Sequence, residues 1–187
     1  MKIDVKEVLK PTLILFVICF VVAAALAGTN LLTEDKIEAQ QAAKAEESRK
    51  IVLSAADAFE ARDGYYEGTS GGTAIGYVFE TSAKGYGGDV KVMTGITANG
   101  QISGVVILSH DETPGLGANA EREEFRSQYQ QPVPEAVIQV VKYQTPQQGE
   151  IEAMTGATIT SRAVTSAVNE AVRLYHGIQG GGTNDGT

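Results

Sequence analysis

From Pro11 to Ala27 the chain reads PTLILFVICFVVAAALA, with no charged residue, and GTNLL extends the run to Leu32. About 20 apolar residues span a bilayer as a helix, so the pattern predicts a transmembrane helix over residues 11–32. Lys2, Lys6 and Lys10 precede the run, whereas Glu34 and Asp35 follow it directly, with Lys36 behind them. That asymmetry puts residues 1–10 in the cytoplasm and everything after Leu32 outside it. A cleavable signal peptide shares the basic start and apolar centre, and Ala25-Leu26-Ala27 is a passable cleavage site. A lipoprotein signal wants a small residue before its cysteine, but Ile18 precedes Cys19. All three readings place the rest of the chain outside the cytoplasm.

The pattern then changes twice. Residues 33–62 are rich in Ala, Glu, Gln and Lys without Gly or Pro, which predicts a helical stalk. Ile51, Leu53 and Phe59 lie in its later half and are expected to pack on the following domain. From residue 63 glycines cluster and apolar residues alternate. AIGYVFET (Ala74–Thr81), GDVKVMTGIT (Gly88–Thr97) and QISGVVILS (Gln101–Ser109) read as strands. Asn99-Gly100 between the last two is a hairpin signal. EREEFRSQYQQ (Glu121–Gln131) reads as a short exposed helix and AVIQVVKY (Ala136–Tyr143) as another strand. Val164, Ala167, Val168, Ala171, Val172 and Tyr175 fall at the spacing of an amphipathic helix. Residues 63–178 are thus expected to form an α+β domain, an antiparallel sheet with helices packed on it. Residues 179–187 are a tail whose composition predicts flexibility.

Composition narrows the chemistry. The formal net charge is −8 and no basic stripe is present, which argues against a nucleic-acid partner. With one cysteine and two histidines, no disulfide framework, zinc site or cysteine-bound iron–sulfur cluster is expected. A site built from His110, Asp111 and Glu112 is disfavoured because consecutive side chains rarely converge on one ion. Redox chemistry here would need an organic cofactor.

Candidate chemistry lies in three short stretches. In EAMTGATITSRAV (Glu152–Val164), Thr155, Thr158, Thr160 and Ser161 surround Gly156 just before the last helix. A helix N-terminus presents unpaired N–H groups and partial positive charge, which suits a phosphate, and Arg162 is placed to add a contact. An ordinary N-cap, for which Thr160 or Ser161 suffices, explains the same residues. HDETPGLGAN (His110–Asn119) reads as a rigid loop turning at Pro114-Gly115. It would offer Thr113 and backbone to a ligand, with Leu116 covering an apolar ring. In AKGYGGDV (Ala83–Val90), glycines around Tyr86 would let a flat ligand lie close to the backbone. No Walker A, dinucleotide or G-x-S-x-G pattern occurs.

Taken in order behind one apolar segment, KGYGG, ETPGLG and TGAT (Thr155–Thr158) resemble the extracytoplasmic FMN-binding domains of bacterial flavin-based electron-transport complexes. The chain looks most like the G subunit of the Rnf complex, an ion-pumping ferredoxin:NAD oxidoreductase. It is also similar to the C subunit of the sodium-pumping NADH:quinone oxidoreductase. The resemblance implies that residues 63–178 are an FMN-binding domain. It implies that FMN is linked through its phosphate to Thr158, with Thr155, Gly156 and Ala157 lining the attachment turn. Glu112, Thr113, Gly115, Leu116, Tyr86 and Gly87 should then lie near the flavin. Two positions depart from the pattern: Glu152 stands where Asp is usual, and Asn119 where many relatives carry lysine.

The function so implied is that of an electron carrier, passing electrons through covalent FMN within a membrane complex with subunits A, B, C, D and E. A separate flavin transferase, taking FMN from FAD with a divalent metal, would make the bond. No catalytic residue and no metal site of the chain's own are expected. A free-standing extracytoplasmic FMN reductase and a non-redox scaffold are the readings that compete with it.

Overall fold

The structure is a computed structural model that describes residues 5–181, and the chain divides into two units between Ala43 and Lys44. Helix α1 (Val5–Val52) supplies the whole of the described first unit. Within it Leu9–Glu34 has a mean hydropathy of 2.6 and is long and apolar enough to cross a membrane. Its apolar side chains, among them Leu13, Phe16 and Phe20, are exposed, as befits a surface meant for lipid rather than for a protein core.

The expected stalk over residues 33–62 is shorter than its composition suggests. Helix α1 ends at Val52, and Ala58–Arg62 is a strand, β1, paired antiparallel with β2 (Tyr65–Ser70). Helix-forming residues lose here to tertiary context: β2 offers a free edge, and Arg62 is pinned to Glu67 of β2 at 2.7 Å.

Five strands make one antiparallel sheet in chain order, continuing through β3 (Thr73–Lys84), β4 (Asp89–Thr97) and β5 (Ile102–Ser109). β4 and β5 form the expected hairpin, with Gly100 at φ +78°. Side chains alternate between two cores. Phe79, Val90, Val92, Ile96, Ile102, Val105 and Ile107 face one way, while Val78, Met93 and Val106 face the other. A sheet buried on both faces accounts for strands that read as nearly continuous apolar runs.

Helix α3 (Thr158–Gly181) covers the first face with Val164, Ala167, Val168, Ala171, Val172 and Tyr175, in the register its spacing predicts. It also continues through Gly181, into the expected tail; residues 182–187 lie outside the described residues. The end of α1 covers the second face. Val52 and Leu53 are buried there, whereas Ile51 remains exposed. Glycines make room for them: a Cβ on Gly95 would stand 2.3 Å from the Val52 carbonyl oxygen, and one on Gly68 2.4 Å from the Leu53 side chain. Lys44 donates to the Leu108 carbonyl at 2.8 Å, and the Arg49 guanidinium lies 4.1 Å from the centre of the Tyr66 ring.

The Glu121–Gln131 stretch is largely exposed, as expected, but it is not one helix, and Phe125 and Tyr129 within it are buried. A 3-10 turn (Gly117–Glu121) ends where the stretch begins, and a single helical turn α2 (Glu123–Arg126) and a second 3-10 turn (Ser127–Tyr129) follow, which brings both Phe125 and Tyr129 into the core. Tyr129 is fully buried, shares a 2.7 Å hydrogen bond with Thr165, and has its phenol pushed far above its ordinary range by burial. The expected strand Ala136–Tyr143 contracts to β6 (Gln139–Val141), which pairs in parallel with β7 (Glu150–Glu152). Asn169 of α3 holds its approach by exchanging two hydrogen bonds with the Ile138 backbone.

Candidate functional site

Parallel pairing of β6 and β7 sets their C-terminal ends side by side, with Val141 opposite Glu152. Lys142 and Tyr143 leave one strand as Ala153 and Met154 leave the other, and Ala153 still donates to the Val141 carbonyl at 2.9 Å. The chain then turns through Met154–Ala157 into α3. Ala157 N–H donates to the Met154 carbonyl, and Gly156, third in the turn, has φ +76°. A type II turn demands that conformation of its third residue, which glycine adopts without strain. Pro114-Gly115 forms a matching turn nearby. Leu116 N–H reaches the Thr113 carbonyl, Gly115 has φ +79°, and Asn119 Nδ2 secures the Gly115 carbonyl at 2.9 Å.

The four hydroxyls around this turn differ in what they hold. Ser161 Oγ accepts from Met154 N–H and donates to the Ala157 carbonyl, each at 3.0 Å, which locks the turn to the helix. Thr160 is buried and donates to Glu112 Oε2 at 2.5 Å. Thr155 and Thr158 take no side-chain hydrogen bond within the described residues, and Thr158 is half-buried. Ala157 precedes the helix and cannot cap it. The N–H groups of Thr158, Ile159 and Thr160 therefore have no acceptor among the described residues, and no acidic side chain lies in the first turn. These are the conditions under which a helix start takes an anion.

Glu112 ties the three motifs together. Its Oε1 accepts from the Tyr86 and Gly87 N–H groups at 2.8 and 3.0 Å, and its Oε2 accepts from Thr160. Three glycines permit this closeness. A Cβ on Gly85 would lie 2.2 Å from Oε1, one on Gly117 2.5 Å from Oε2, and one on Gly87 1.9 Å from the Asp111 carbonyl oxygen. Burial, the largest single influence, resists ionisation of Glu112. The hydrogen bonds from Thr160, Gly87 and Tyr86 and the nearness of His110 outweigh it and hold the carboxyl below its ordinary range. His110 is itself turned inward, its Nδ1 accepting from Glu112 N–H at 3.1 Å.

A cavity of about 620 Å³ opens where these elements meet, a size suited to a small-molecule ligand. Tyr86, Glu112, Thr113, Leu116, Gly156, Ala157 and Thr158 line it, the grouping expected from the three motifs. Gly87 and Gly115, also expected near the ligand, are not among its lining residues. Thr155 lines a separate depression of about 420 Å³ with Glu152 and Arg122, and Arg162 lines a third beside β6. Gly117, Lys142, Tyr143, Ile159 and Thr160 complete the main cavity. Lys142 and Tyr143 have no local signal beyond an apolar run that reads as a strand; only their position after β6 brings them here. Tyr143 is 96% exposed and has φ +56°, which is costly for a side chain of that size. Among the described residues no cluster of His, Cys, Asp or Glu is arranged to hold a metal ion.

The residues present fit FMN. Unpaired helix N–H groups and a free Thr158 hydroxyl suit its phosphate, and Tyr86, Leu116, Tyr143 and Ile159 present exposed rings and apolar groups for its flat ring system.

Comparison with known proteins agrees. The family described as FMN-binding domain matches residues 85–173, and the one described as RnfG N-terminal region matches residues 1–50. The chain is 39% identical over 199 residues to the G subunit of the Na(+)-translocating ferredoxin:NAD(+) oxidoreductase complex of Acetobacterium woodii, covering 95% of this chain and 96% of that protein. The G subunit of the proton-translocating ferredoxin:NAD(+) oxidoreductase complex of Clostridium ljungdahlii is 35% identical, over 89% of this chain and 91% of that one. The G subunit of the ion-translocating oxidoreductase complex of Methanosarcina acetivorans is 34% identical, over 90% and 95% of the two chains. Among solved structures, Shewanella oneidensis NqrC superposes with a TM-score of 0.52 at 21% identity, over 58% of this chain and 54% of that chain, a likeness of fold. The chain belongs to the RnfG family, the G subunits of ion-translocating ferredoxin:NAD oxidoreductase complexes.

Proposed function

We propose that this protein is a membrane-anchored electron carrier that holds FMN by a phosphoester to Thr158 Oγ1, within a complex that moves electrons between ferredoxin and NAD. The observation that carries the reading is the unpartnered Thr158 hydroxyl beside the unpaired N–H groups of α3, in a cavity with aromatic and apolar walls. FMN would supply the electron-accepting ring. The chain's residues bind its phosphate at the helix start, flank the ring with Tyr86, Leu116 and Tyr143, and keep the loops in register through Glu112.

Attachment needs no base from this chain. A flavin transferase would join the FMN phosphorus to Thr158 Oγ1, breaking the pyrophosphate of FAD and releasing AMP and the threonine's proton. A divalent metal on the transferase would assist that step. The apolar segment and the lysines before it support an N-terminus in the cytoplasm and an FMN domain outside it. Partner subunits A, B, C, D and E would surround it; the relatives matched along nearly their full length, each named as one subunit of a complex, support partners of this kind. Those relatives also favour the G subunit over the C subunit of the quinone-reducing pump, which shares the fold. The chain would carry out no independent catalysis. Denatured protein from native membranes should fluoresce as flavin on a gel; a dark band, in cells that flavinylate other proteins, would refute the covalent reading.

A further inference from the structure

Besides the phenols of Tyr86 and Tyr143, two acid–base side chains line the Thr158 cavity, Glu112 and Lys142. They differ in sign and in surroundings. Lys142 is exposed, so water and salt screen its charge. Glu112 is 5% exposed, and its carboxylate is held by two backbone N–H groups and one hydroxyl, all neutral donors. It makes no ion pair among the described residues; nearby His110 accepts from the Glu112 N–H through Nδ1 and turns Nε2 to Glu121, 3.5 Å away. A fixed negative charge in so little water acts on its neighbours with a low effective dielectric.

We infer that Glu112 sets the reduction potential of a flavin held in this cavity, its buried charge opposing the negative charge the ring acquires on reduction. The inference rests on the FMN reading above. An isoalloxazine that takes up two electrons and one proton gains one net negative charge, and a nearby carboxylate raises the energy of that state, which lowers the potential. Lys142 acts in the opposite sense but through solvent, so the buried group prevails. Glu112 is thus a positioning residue with an electrostatic effect of its own, separable from its hold on the loops.

The test is a reductive titration of the full-length, flavin-loaded membrane protein with dithionite against reference dyes. Glu112→Gln keeps the shape: its Oε1 accepts from Tyr86 and Gly87, and only the charge and the acceptor for Thr160 change. Glu112→Asp keeps the charge and shortens the reach. The expected result is a rise in potential for Glu112→Gln of at least about tenfold in the reduced-to-oxidised ratio, about 30 mV for a two-electron couple. That rise persists at about 1 M salt, where the Debye length is about 3 Å. Glu112→Asp stays within about threefold of the parent, and Lys142→Gln shifts the ratio the other way at low salt only. A Glu112→Gln potential equal to the parent's, or a Glu112→Asp shift as large as that of Glu112→Gln, overturns the inference. So does a Lys142→Gln shift that survives high salt and exceeds that of Glu112→Gln. If the Gln chain fails to load flavin, the Asp chain alone decides, since a displaced potential there means shape rather than charge. A parent protein without flavin would instead defeat the attachment reading itself.

Discussion

Thr160 donates its hydroxyl to the Glu112 carboxylate across a sequence separation of 48, and so joins the start of α3 to the loop that turns at Pro114-Gly115. Both side chains are buried, and the same carboxylate also holds the Tyr86–Gly87 backbone. Thr160→Val removes one donor from a buried carboxylate that has no ion-pair partner to replace it. Losing a hydrogen bond to a buried charged group costs about 1.5–3 kcal/mol. Denaturant unfolding of the membrane-anchored chain should show that loss, with Thr160→Ser close to the parent. Equal stability of the Val and parent proteins would mean the bond is unimportant.

The same carboxylate makes stability depend on pH in a defined direction. Its folded-state carboxyl is held below the ordinary value, so ionised Glu112 contributes stability that is present above the unfolded pKa. That contribution is lost as pH falls through the lower, folded value. The stability gap between the parent and Glu112→Gln should therefore narrow as pH drops below about 5, the region where ordinary carboxyls begin to protonate. Unfolding curves for both proteins at several pH values test this. A gap that stays constant or widens toward acid contradicts the assigned direction.

Two glycines to alanine should move stability in opposite senses. A Cβ at Gly95 would meet Val52 backbone at 2.3 and 2.8 Å and Ser103 Oγ at 2.9 Å, so the end of α1 would have to lift from the sheet. Overpacking of this kind costs about 1–3 kcal/mol. Gly177 lies in α3, and a Cβ added there would have nothing within 4 Å. Alanine at that position should stabilise by about 0.5–1 kcal/mol, since glycine in a helix carries extra backbone entropy. Melting temperatures that move the same way for both variants would contradict the packing described for α1.

Most of the sheet and its covering helix can be read from local pattern, because periodicity and turn chemistry act over a few residues. Val164 to Tyr175 show their buried face directly, and Asn99-Gly100 marks its hairpin. β1 could not be read this way: AFEAR has no strand signature, and only pairing with β2 makes it one. β6 and β7 are three residues each and pair in parallel, a non-local arrangement that no short window records. The cavity divides along the same line. Thr158, Leu116 and Tyr86 stand in short motifs, whereas Lys142 and Tyr143 arrive through that parallel pairing. Glu112 shows the limit most clearly. Its motif points to the right loop, but its hydrogen-bond partners lie 25, 26 and 48 positions away in the chain, so its hold on that loop appears only once the chain is folded.

Among the described residues, Thr158 is the one hydroxyl at the helix start that lines the cavity uncommitted, since Thr160 holds Glu112 and Ser161 holds the turn. Exchange of Thr158 for valine should abolish flavin attachment and leave the fold intact, with a stability change within about 0.5 kcal/mol for the flavin-free chains. Peptide mapping by mass spectrometry, on protein taken from its native membranes, decides the attachment chemistry. The expected result is a peptide containing Thr158 that is heavier by one FMN less water, fluorescent as flavin, with fragments that assign the added mass to that residue. An unmodified Thr158 peptide from cells that flavinylate other proteins, or the added mass on Thr155, would contradict it.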